Sequence, residues 1–391
     1  MKLWQKKYAL NKTIEDFTVG NDFVLDLQLI EYDCIGSMAH AQMLGKIGVL
    51  KSAEVKKLVK ELKKIIELNK KGKFRIKKEQ EDCHTAIENY LTKKLGNLGK
   101  KIHTGRSRND QVQTALRLYS KAELNQTIEK VELLIQSLEK FSKKYKQVNF
   151  PGYTHMRKAM PSSISSWSNG FTASLKDDIQ ILKTALKLVD QNPLGSAAGY
   201  GSPLTLDRAF TAKLLKFSKI QELTYVQNSR GKFEAFILSA LMQVLLDLNK
   251  MASDIILFSM FEFSYFELPN EICSGSSLMP HKKNPDVLEL IRGNLSVVQG
   301  NLIQVLSLIQ SLPSGYNRDF QLTKEPFLNG FQVTQKSVNA MIVVMTKLKV
   351  NEFKCRQALT EELYATEQAL KLVNEGKTFR DAYNEIGKKF A

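Results

Sequence analysis

The sequence predicts an all-α protein built around a bundle of long helices. Apolar residues recur in alternating steps of three and four along three separate stretches of the chain. The three series are Leu124, Ile128, Val131, Ile135 and Leu138; Ile237, Leu241, Val244, Leu248, Met251, Ile255 and Phe258; and Leu288, Ile291, Leu295, Val298, Leu302, Val305 and Ile309. This spacing, kept over several turns, is typical of helices that pack side by side at shallow angles. Proline and glycine, which interrupt helices, number only 9 and 21 among 391 residues. Segments 163–190 and 331–348 are expected to supply two more helices.

The helix lengths also predict how the chain is divided and how it associates. We expect a helical amino-terminal region over 1–105, a central bundle over 106–350 and a short helical piece over 351–391. A bundle helix of about 30 residues is about 45 Å long. Such a helix has more apolar surface than one chain covers, so we expect self-association.

The composition is ordinary for a globular protein, with 43% hydrophobic and 25% charged residues. No apolar run approaches the roughly 20 residues that cross a bilayer, and residues 1–7 lack the apolar segment of a signal peptide. The four cysteines form no Cys-x-x-Cys pair, so we expect neither a disulfide framework nor a zinc site. Cys83 and His84 are neighbours on an expected helix and should point in different directions, which disfavours a shared metal. The cytoplasm is the expected compartment.

The net charge of +17 fits either a nucleic-acid-binding protein or an enzyme with an anionic substrate. The lysines are spread along the predicted helices and form no zinc-finger, basic-region or RNA-binding motif. The sequence therefore favours the enzyme. The alternative, a basic helical protein that binds nucleic acid, would require tight and salt-dependent binding to single strands or duplexes.

The glycine-rich run Asn192–Gly201 does not predict a nucleotide site. No βαβ unit surrounds it, so it is not a dinucleotide fingerprint, and we interpret it as a connection between bundle helices. The chain also has no Walker loop and no Gly-x-Ser-x-Gly elbow, which argues against a nucleotide hydrolase and a serine hydrolase. We expect no metal or organic cofactor.

The most informative motif is the loop Gly275–Asp286, whose sequence is Gly-Ser-Ser-Leu-Met-Pro-His-Lys-Lys-Asn-Pro-Asp. It combines two adjacent hydroxyls and two ammonium groups with a helix start. Asn284 is suited to cap that helix, Pro285 to its first position, and Asp286 and Glu289 to its positive end. Chance surface loops rarely combine these features.

This loop resembles the signature loop of the fumarase/aspartase superfamily, whose members eliminate fumarate from substituted succinates. Its form is most similar to that of the argininosuccinate lyases and their lens relative, delta-crystallin. His281 is also common in adenylosuccinate lyases, so the loop identifies the superfamily better than the substrate. The resemblance implies a three-part all-α fold and a homotetramer whose central bundles merge.

A second motif, His103–Gln111, places two guanidinium groups, an amide and a hydroxyl beside a helix expected to begin near Asn109 or Asp110. Helix starts and arginine forks both bind carboxylates. A well-capped helix with solvated arginines is the simpler interpretation. The run resembles the Ser-Arg-Asn-Asp segment of argininosuccinate lyases, which implies that Ser107, Arg108 and Asn109 bind substrate.

A third motif, Pro151–Met156, contains one of only five histidines in the chain. A lone histidine is more often structural than catalytic. The run Gly-Tyr-Thr-His resembles the family's histidine motif, which implies catalytic and binding roles for His155 and Thr154. The chain has Arg157 where the family usually has glutamine.

Two further regions match the family. The run Tyr316–Glu325 taken alone is a polar helix start, and its resemblance to the family's Tyr-Asn-Lys-Asp-Leu-Gln run implies that Tyr316, Gln321 and Lys324 contact substrate. Thr323 replaces an acidic residue that is often present there.

Near the amino terminus, Asp22, Asp26 and Asp33 alone are typical of a solvated acidic face. The resemblance places Asp26 where an acid binds the substrate's guanidinium end and Asp22 where serine is more common. It also implies that His84, in Glu81–Glu88, lines or supports the site.

The resemblance implies a reversible elimination that converts argininosuccinate to arginine and fumarate. The chemistry needs a base beside a carboxylate and an acid for the departing nitrogen. By resemblance Ser276 is the base, aided by Lys282 and the helix start at Asn284, and His155 is the acid, oriented by Glu289. The sequence leaves the reverse assignment open, with His155 as the base. It also leaves open an adenylosuccinate-type lyase and a non-catalytic structural protein like delta-crystallin.

Overall fold

The computed structural model describes residues 11–390, and its architecture confirms the all-α prediction. The α-helices are α1 (Lys12–Val19), α2 (Asp22–Leu25), α3 (Ile30–Lys46), α4 (Ser52–Lys70), α5 (Cys83–Leu95), α6 (Asn97–Lys100), α7 (Arg108–Lys144), α8 (Ile164–Val189), α9 (Arg208–Leu214), α10 (Leu223–Asn228), α11 (Lys232–Ser259), α12 (Asp286–Ile309), α13 (Lys324–Lys347), α14 (Glu352–Gln357), α15 (Ala365–Asn374) and α16 (Phe379–Gly387). The three apolar series lie within α7, α11 and α12, and α8 and α13 are the two further helices that the sequence predicts.

Strands are short and occur as four pairs in the described part of the chain. The antiparallel pairs are β1 (Asn149–Thr154) with β2 (Arg157–Ser163), β5 (Phe266–Glu267) with β8 (Lys349–Val350), and β6 (Ser274–Gly275) with β7 (Lys283–Asn284). The parallel pair is β3 (Gln191–Asn192) with β4 (Lys219–Ile220). The β1–β2 and β6–β7 hairpins carry two of the sequence motifs.

Two helix starts differ slightly from the sequence prediction. The carbonyl oxygen of Pro285 accepts the backbone N–H of Glu289 at 3.2 Å, so Pro285 is the cap residue and α12 begins at Asp286. Asn284, the expected cap, instead pairs with Ser274 in the β6–β7 hairpin. Helix α7 begins at Arg108, one residue before the predicted start.

The chain forms two compact units, and each draws on several separate segments. Unit 1 comprises 1–126, 182–240 and 298–332, and unit 2 comprises 127–181, 241–297 and 333–391. Each of the five long helices α7, α8, α11, α12 and α13 contributes one part to each unit. The three-part division at 105 and 350 stays a prediction.

Aromatic packing joins three helices of unit 1. The ring of Tyr119 on α7 meets Tyr32 on α3 at a centroid distance of 5.6 Å. The same ring meets Phe327 at 6.3 Å and Phe331 at 5.7 Å, both on α13. Edge-to-face pairs of this kind stabilise a core by more than the burial of their surface alone. Here they hold together the helices that carry the acidic and basic side chains of unit 1.

In unit 2 polar side chains connect neighbouring bundle helices across an apolar core. The indole N–H of Trp167 on α8 donates to Asp254 on α11 at 2.9 Å, and Asn294 on α12 donates to Ser337 on α13 at 2.9 Å. Partly buried hydrogen bonds of this kind help to fix the register of packed helices.

One helix corrects the expectation that no apolar run is long enough to cross a bilayer. The helix α11 has a mean hydropathy of 1.4 in its most apolar window and passes the length and composition test for a membrane span. Within the protein, however, 56% of that window is buried. The core helix of a globular protein has the same composition, so α11 is weak evidence for a membrane. The expectation of no signal peptide concerns residues 1–7, which lie outside the described part of the chain.

Candidate active site

Unit 1 contains a narrow polar cavity of about 40 Å³. It is lined by Val19, Asp22, Glu81, Asp82, His84, Arg108, Asn109, Val112, Arg230, Tyr316, Arg318, Gln321 and Lys324. Six of the predicted site residues are in this set, and they come from three separate stretches of sequence. Cations and carboxylates face the same small space, so the cavity is suited to a ligand that itself carries both signs of charge.

Lys324 is a deeply buried cation of this cavity. Its ammonium group lies 2.5 Å from a carboxylate oxygen of Asp26 and 2.9 Å from one of Asp22. Burial alone would lower the pKa of Lys324, but the two carboxylates raise it above its ordinary value. Burial raises the pKa of Asp22, and Lys324 opposes that shift. The two ion pairs favour the charged form of Lys324 inside the protein.

Asp26 is placed differently from the prediction. It is fully buried, one oxygen accepts from Lys324, and the other accepts the backbone N–H of Cys83 at 3.1 Å. Asp22, rather than Asp26, is the residue of this pair that lines the cavity. The position of Asp26 therefore supports a role through Lys324, while direct contact with substrate stays a prediction.

His84 lies at the centre of a buried hydrogen-bonding network. Its Nδ1 is 2.9 Å from a carboxylate oxygen of Asp33, and the amide of Gln111 donates to the same carboxylate at 2.8 Å. Burial alone would lower the pKa of His84, but Asp33 and then Asp82 raise it. The carboxyl of Asp33 has its pKa lowered, because His84 outweighs the effect of burial. Both shifts favour the charged forms of the pair, an imidazolium beside a carboxylate.

The expectation that Cys83 and His84 point apart is wrong. The sulfur of Cys83 lies 3.7 Å from Nδ1 of His84, and donor atoms of Asp26, Cys83 and His84 lie within 4.8 Å of one another. The donor set does not fit a metal ion well, since the Lys324 ammonium already neutralises Asp26. Burial also raises the pKa of the Cys83 thiol well above its ordinary value, which disfavours the thiolate that metals bind.

The start of α7 positions Arg108 and Asn109 at the cavity. The carboxylate of Asp110 accepts the backbone N–H of Ser107 at 3.0 Å, and the Ser107 hydroxyl accepts the N–H of Asn109 at 3.2 Å. These contacts cap the helix and direct its first turn. Arg108 lies 3.2 Å from Glu81 and 3.1 Å from Asp82.

The stretch before α13 supplies another wall of the cavity. The amide of Gln321 donates to the carbonyl oxygens of Thr18 and Val19 at 3.2 and 3.0 Å, and this ties the end of α1 to the helical turn Arg318–Thr323. Tyr316 packs under the guanidinium group of Arg230, with a distance of 5.2 Å to the ring centroid. Tyr316 lines the cavity and is 37% exposed.

Unit 2 places Thr154 and His155 at the tip of the β1–β2 hairpin. The turn residues His155 and Met156 have φ angles of 51° and 59°, a left-handed pair that suits a tight hairpin turn. The hydroxyl of Tyr153 is hydrogen-bonded to that of Tyr265 at 2.8 Å, which fixes the hairpin on the aromatic core of the unit. His155 and Arg157 are both exposed.

The signature loop in unit 2 is closed by the β6–β7 pairing. The hydroxyl oxygen of Ser276 accepts the backbone N–H groups of Leu278 and Met279 at 3.3 and 3.0 Å. Hydrogen bonds to the charged form of a group favour that form, so these two donors are suited to stabilise a serine alkoxide. Lys282 and Glu289 are exposed.

The predicted residues thus fall into two sets. His84, Arg108, Asn109, Tyr316, Gln321 and Lys324 line the unit 1 cavity, with Asp26 and Ser107 directly behind it. Thr154, His155, Ser276, Lys282, Asn284 and Glu289 belong to unit 2.

Sequence reasoning missed two cationic residues of the unit 1 cavity. Arg230 and Arg318 both line it, although Arg318 was inside the motif Tyr316–Glu325. Arg230 lies between Ser229 and Gly231 at the start of α11. The argument used for Arg108, an arginine at a helix start, applies equally to it.

Comparison with known proteins identifies the class first. A family model described as "Lyase" matches residues 4–300. The fold is similar to that of EDDS lyase in complex with formate, with a TM-score of 0.82 at 24% identity, over 97% of this chain and 76% of that one. It is also similar to the fumarate lyase/delta-crystallin structure from Brucella melitensis bound to cobalt, with a TM-score of 0.80 at 19% identity, over 96% of this chain and 87% of that one. The chain has the fold of the fumarate lyases.

The sequence comparison is more specific. The argininosuccinate lyase of Thermotoga neapolitana is 46% identical over 390 residues, which is 100% of this chain and 98% of that protein. The chain belongs to the argininosuccinate lyase family.

Proposed function

We propose that this protein is an argininosuccinate lyase, a carbon–nitrogen lyase of arginine biosynthesis that converts argininosuccinate reversibly to arginine and fumarate. The observation that carries the proposal is the 46% identity to such an enzyme along the whole chain. The buried charges of unit 1 and the serine loop of unit 2 supply the groups that this reaction needs. We place the reaction in the cytoplasm.

Unit 1 binds the charged ends of the substrate in this proposal. Arg108 and Lys324 supply cations for carboxylates, and Asn109, Tyr316 and Gln321 supply neutral hydrogen-bonding groups. Asp26 and Asp22 hold the Lys324 ammonium in place, and the His84–Asp33 pair supports the wall of the cavity behind them. Because these side chains are already ordered, little conformational entropy is lost when the substrate binds.

Unit 2 carries out the proton transfers. Ser276 removes the proton next to a carboxylate, and the N–H groups of Leu278 and Met279 stabilise its alkoxide. Lys282 stabilises the negative charge that develops on the carboxylate. His155 protonates the departing guanidinium nitrogen and is oriented by Glu289. Thr154 and Asn284 contact the substrate beside them.

The active form is a homotetramer in which each site combines segments from different subunits. Exposed apolar side chains along α12 support association, among them Leu290 at 68% and Ile303 at 55% exposure. An unpaired surface of this kind on a long helix is typical of an interface. We therefore expect the isolated monomer to be inactive, and a dilution series that kept full specific activity in the monomer would contradict this arrangement.

The decisive experiment follows fumarate by its ultraviolet absorbance. Purified protein is mixed with argininosuccinate and, separately, with adenylosuccinate, the alternative that His281 suggests. We expect fumarate from argininosuccinate alone. Fumarate from adenylosuccinate would assign the protein to the sister activity, and a well-folded protein that releases fumarate from neither would favour the structural role.

A further inference from the structure

Unit 1 has a second cleft, of about 500 Å³, with no part in the proposed chemistry. It is lined by Ile35, Met38, Ala39, Gln42, Val55, Lys56, Val59, Lys63, Leu214 and Leu215. The floor comes from α3 and the two walls from α4 and α9. Seven of these ten side chains are apolar, and none is a carboxylate.

The walls of the cleft are held firmly against its floor. Gly45 on α3 allows α4 to approach so closely that a Cβ atom there would lie 2.7 Å from a methyl carbon of Val55. On the other side, Lys46 forms a 2.6 Å ion pair with Asp207 and lies 4.7 Å from the centroid of the Phe210 ring. Leu215 belongs to a buried cluster with Ala39 and Phe217. The cleft is therefore preformed, which limits the entropy lost when a partner binds.

The rim of the cleft is positively charged along one side. Lys56 and Lys63 lie seven residues apart on α4, which places them about 10 Å apart on one face of the helix. Both are exposed, and neither forms an ion pair with another residue in the part of the chain that the structure describes. The two free ammonium groups thus flank an apolar floor two turns long.

We propose that this cleft binds an amphipathic helix of a partner protein, with an apolar stripe that fills the floor and carboxylates that pair with Lys56 and Lys63. Helix-in-groove recognition uses apolar anchors at steps of three and four residues, and two helical turns match the length of the lysine-lined wall. Carboxylates beside the stripe complement the free ammonium groups. A flat anionic membrane cannot reach a concave floor, and a nucleic acid has no apolar stripe to fill it.

The test uses the full-length protein and a fluorescent helical peptide of about four turns, with leucines along one face and glutamates on both sides. A Lys56→Glu/Lys63→Glu variant is compared with Lys57→Glu/Lys64→Glu, which changes the charge equally on the same helix at the same spacing but outside the cleft. We expect binding by fluorescence anisotropy to weaken about tenfold in the first variant and less than about twofold in the second. Val59→Ser should weaken it about fivefold, because part of the apolar wall from α4 is lost.

Several results would overturn the proposal. Equal losses in the two lysine variants, or no effect of Val59→Ser, would mean that only the general positive charge attracts the peptide. Binding to anionic phospholipid vesicles or duplex DNA in preference to the peptide would identify a different class of partner. A smaller assembly of the Lys56→Glu/Lys63→Glu variant in sedimentation would mean that a second copy of the chain occupies the cleft. Unchanged fumarate release in every variant serves as the check of folding.

Discussion

Unit 1 and unit 2 hold their charged groups in opposite ways. In unit 1 Lys324, Asp26 and His84 are buried, and each is paired with a group of opposite charge. In unit 2 His155, Lys282 and Glu289 are exposed at the hairpin tip, in the signature loop and on α12. Burial strengthens electrostatic interactions, whereas water weakens them. The binding groups are thus prearranged within the chain, and the groups proposed for proton transfer still need a surface that excludes water.

The exposure of the charged groups in unit 2 explains why a serine can act as a base only in a site closed from water. Two backbone N–H groups already reach the oxygen of Ser276, but Lys282 is in water and stabilises an alkoxide weakly there. In the proposed tetramer, substrate and a neighbouring subunit would cover the loop, and the same lysine would then act at lower dielectric with a larger contribution. We infer that assembly supplies to unit 2 the burial that unit 1 has by itself.

The largest expected effect comes from removing the proposed base in unit 2. Ser276→Ala should lower kcat by about 100- to 10,000-fold with little change in stability, because the hydroxyl sits in an exposed loop. Steady-state rates of fumarate release and a thermal unfolding curve measure the two quantities. The matched control is Ser277→Ala, which removes the adjacent hydroxyl. A similar loss in both variants would assign the effect to loop structure instead of base catalysis.

The second prediction tests the buried ion pairs of unit 1. Lys324→Met leaves the fully buried Asp26 without its cation, and we expect the free energy of unfolding to fall by about 3–5 kcal/mol. The control is Lys347→Met in unit 2, whose 2.9 Å ion pair with Glu271 is exposed and contributes less than about 1 kcal/mol. Chemical denaturation measures both. Equal losses would contradict the contrast between a buried and a solvated pair.

Much of the fold was predictable from sequence because apolar periodicity is a local signal. The steps of three and four along α7, α11 and α12 located those helices without knowledge of their neighbours. The expectation that no apolar run could cross a bilayer did not hold for α11, which passes the length and composition test. Hydropathy does not distinguish a side chain buried in protein from one in lipid. The capping residues placed the start of α12 one residue early, because Asn284 pairs with Ser274 in the β6–β7 hairpin instead of capping the helix.

The candidate site was less predictable because its contacts join residues far apart in sequence. Motifs indicated His84 and Lys324, but the pairing of His84 with Asp33 spans 51 positions and that of Lys324 with Asp26 spans 298. Only the packed helices determine which carboxylate meets which cation. For the same reason neighbouring side chains such as Cys83 and His84 converge on one acidic cluster, although helix geometry alone separates them.

The third prediction concerns a buried pair of carboxyl groups inside unit 2. Asp178 on α8 and Asp247 on α11 lie beside each other, and both are buried. Burial, and then the charge of Asp247, raises the pKa of Asp178 to about 7 from the ordinary 3.8. The folded state therefore holds a proton that the unfolded state releases at lower pH. The stability gained from this proton is complete below about pH 4 and is lost as the pH rises through about 7.

Asp178→Asn removes this titration and should flatten the pH dependence of the unfolding midpoint between those pH values. The asparagine amide stays uncharged beside Asp247 at every pH, and we therefore expect a gain of about 1–2 kcal/mol at neutral pH. Thermal unfolding across the pH range gives the slope. Asp177→Asn, which changes an exposed neighbour, should leave the slope nearly intact. An unaltered slope in Asp178→Asn would rule out a shared proton.

The smallest effect is expected at Arg157, the departure from the family beside the proposed acid. Arg157 is exposed and pairs with Thr154 across the hairpin, so its guanidinium group attracts an anionic substrate through water. An exposed charge contributes at most about 1 kcal/mol and is screened by salt. Arg157→Gln should therefore raise KM by about two- to threefold at low ionic strength, leave kcat unchanged, and have no effect in high salt.

Lys158→Gln makes the same change of charge one residue further along β2, where alternate side chains face opposite sides of the strand. Its ammonium group donates to the carbonyl oxygen of Ala358 at 2.7 Å, away from the turn, so its effect on KM should be smaller. If Arg157→Gln instead raised kcat, the arginine would be disturbing the proton transfer at His155 and not assisting binding. A rise in KM would therefore show that Arg157 assists substrate binding, whereas a rise in kcat would show that it hinders the proton transfer at His155.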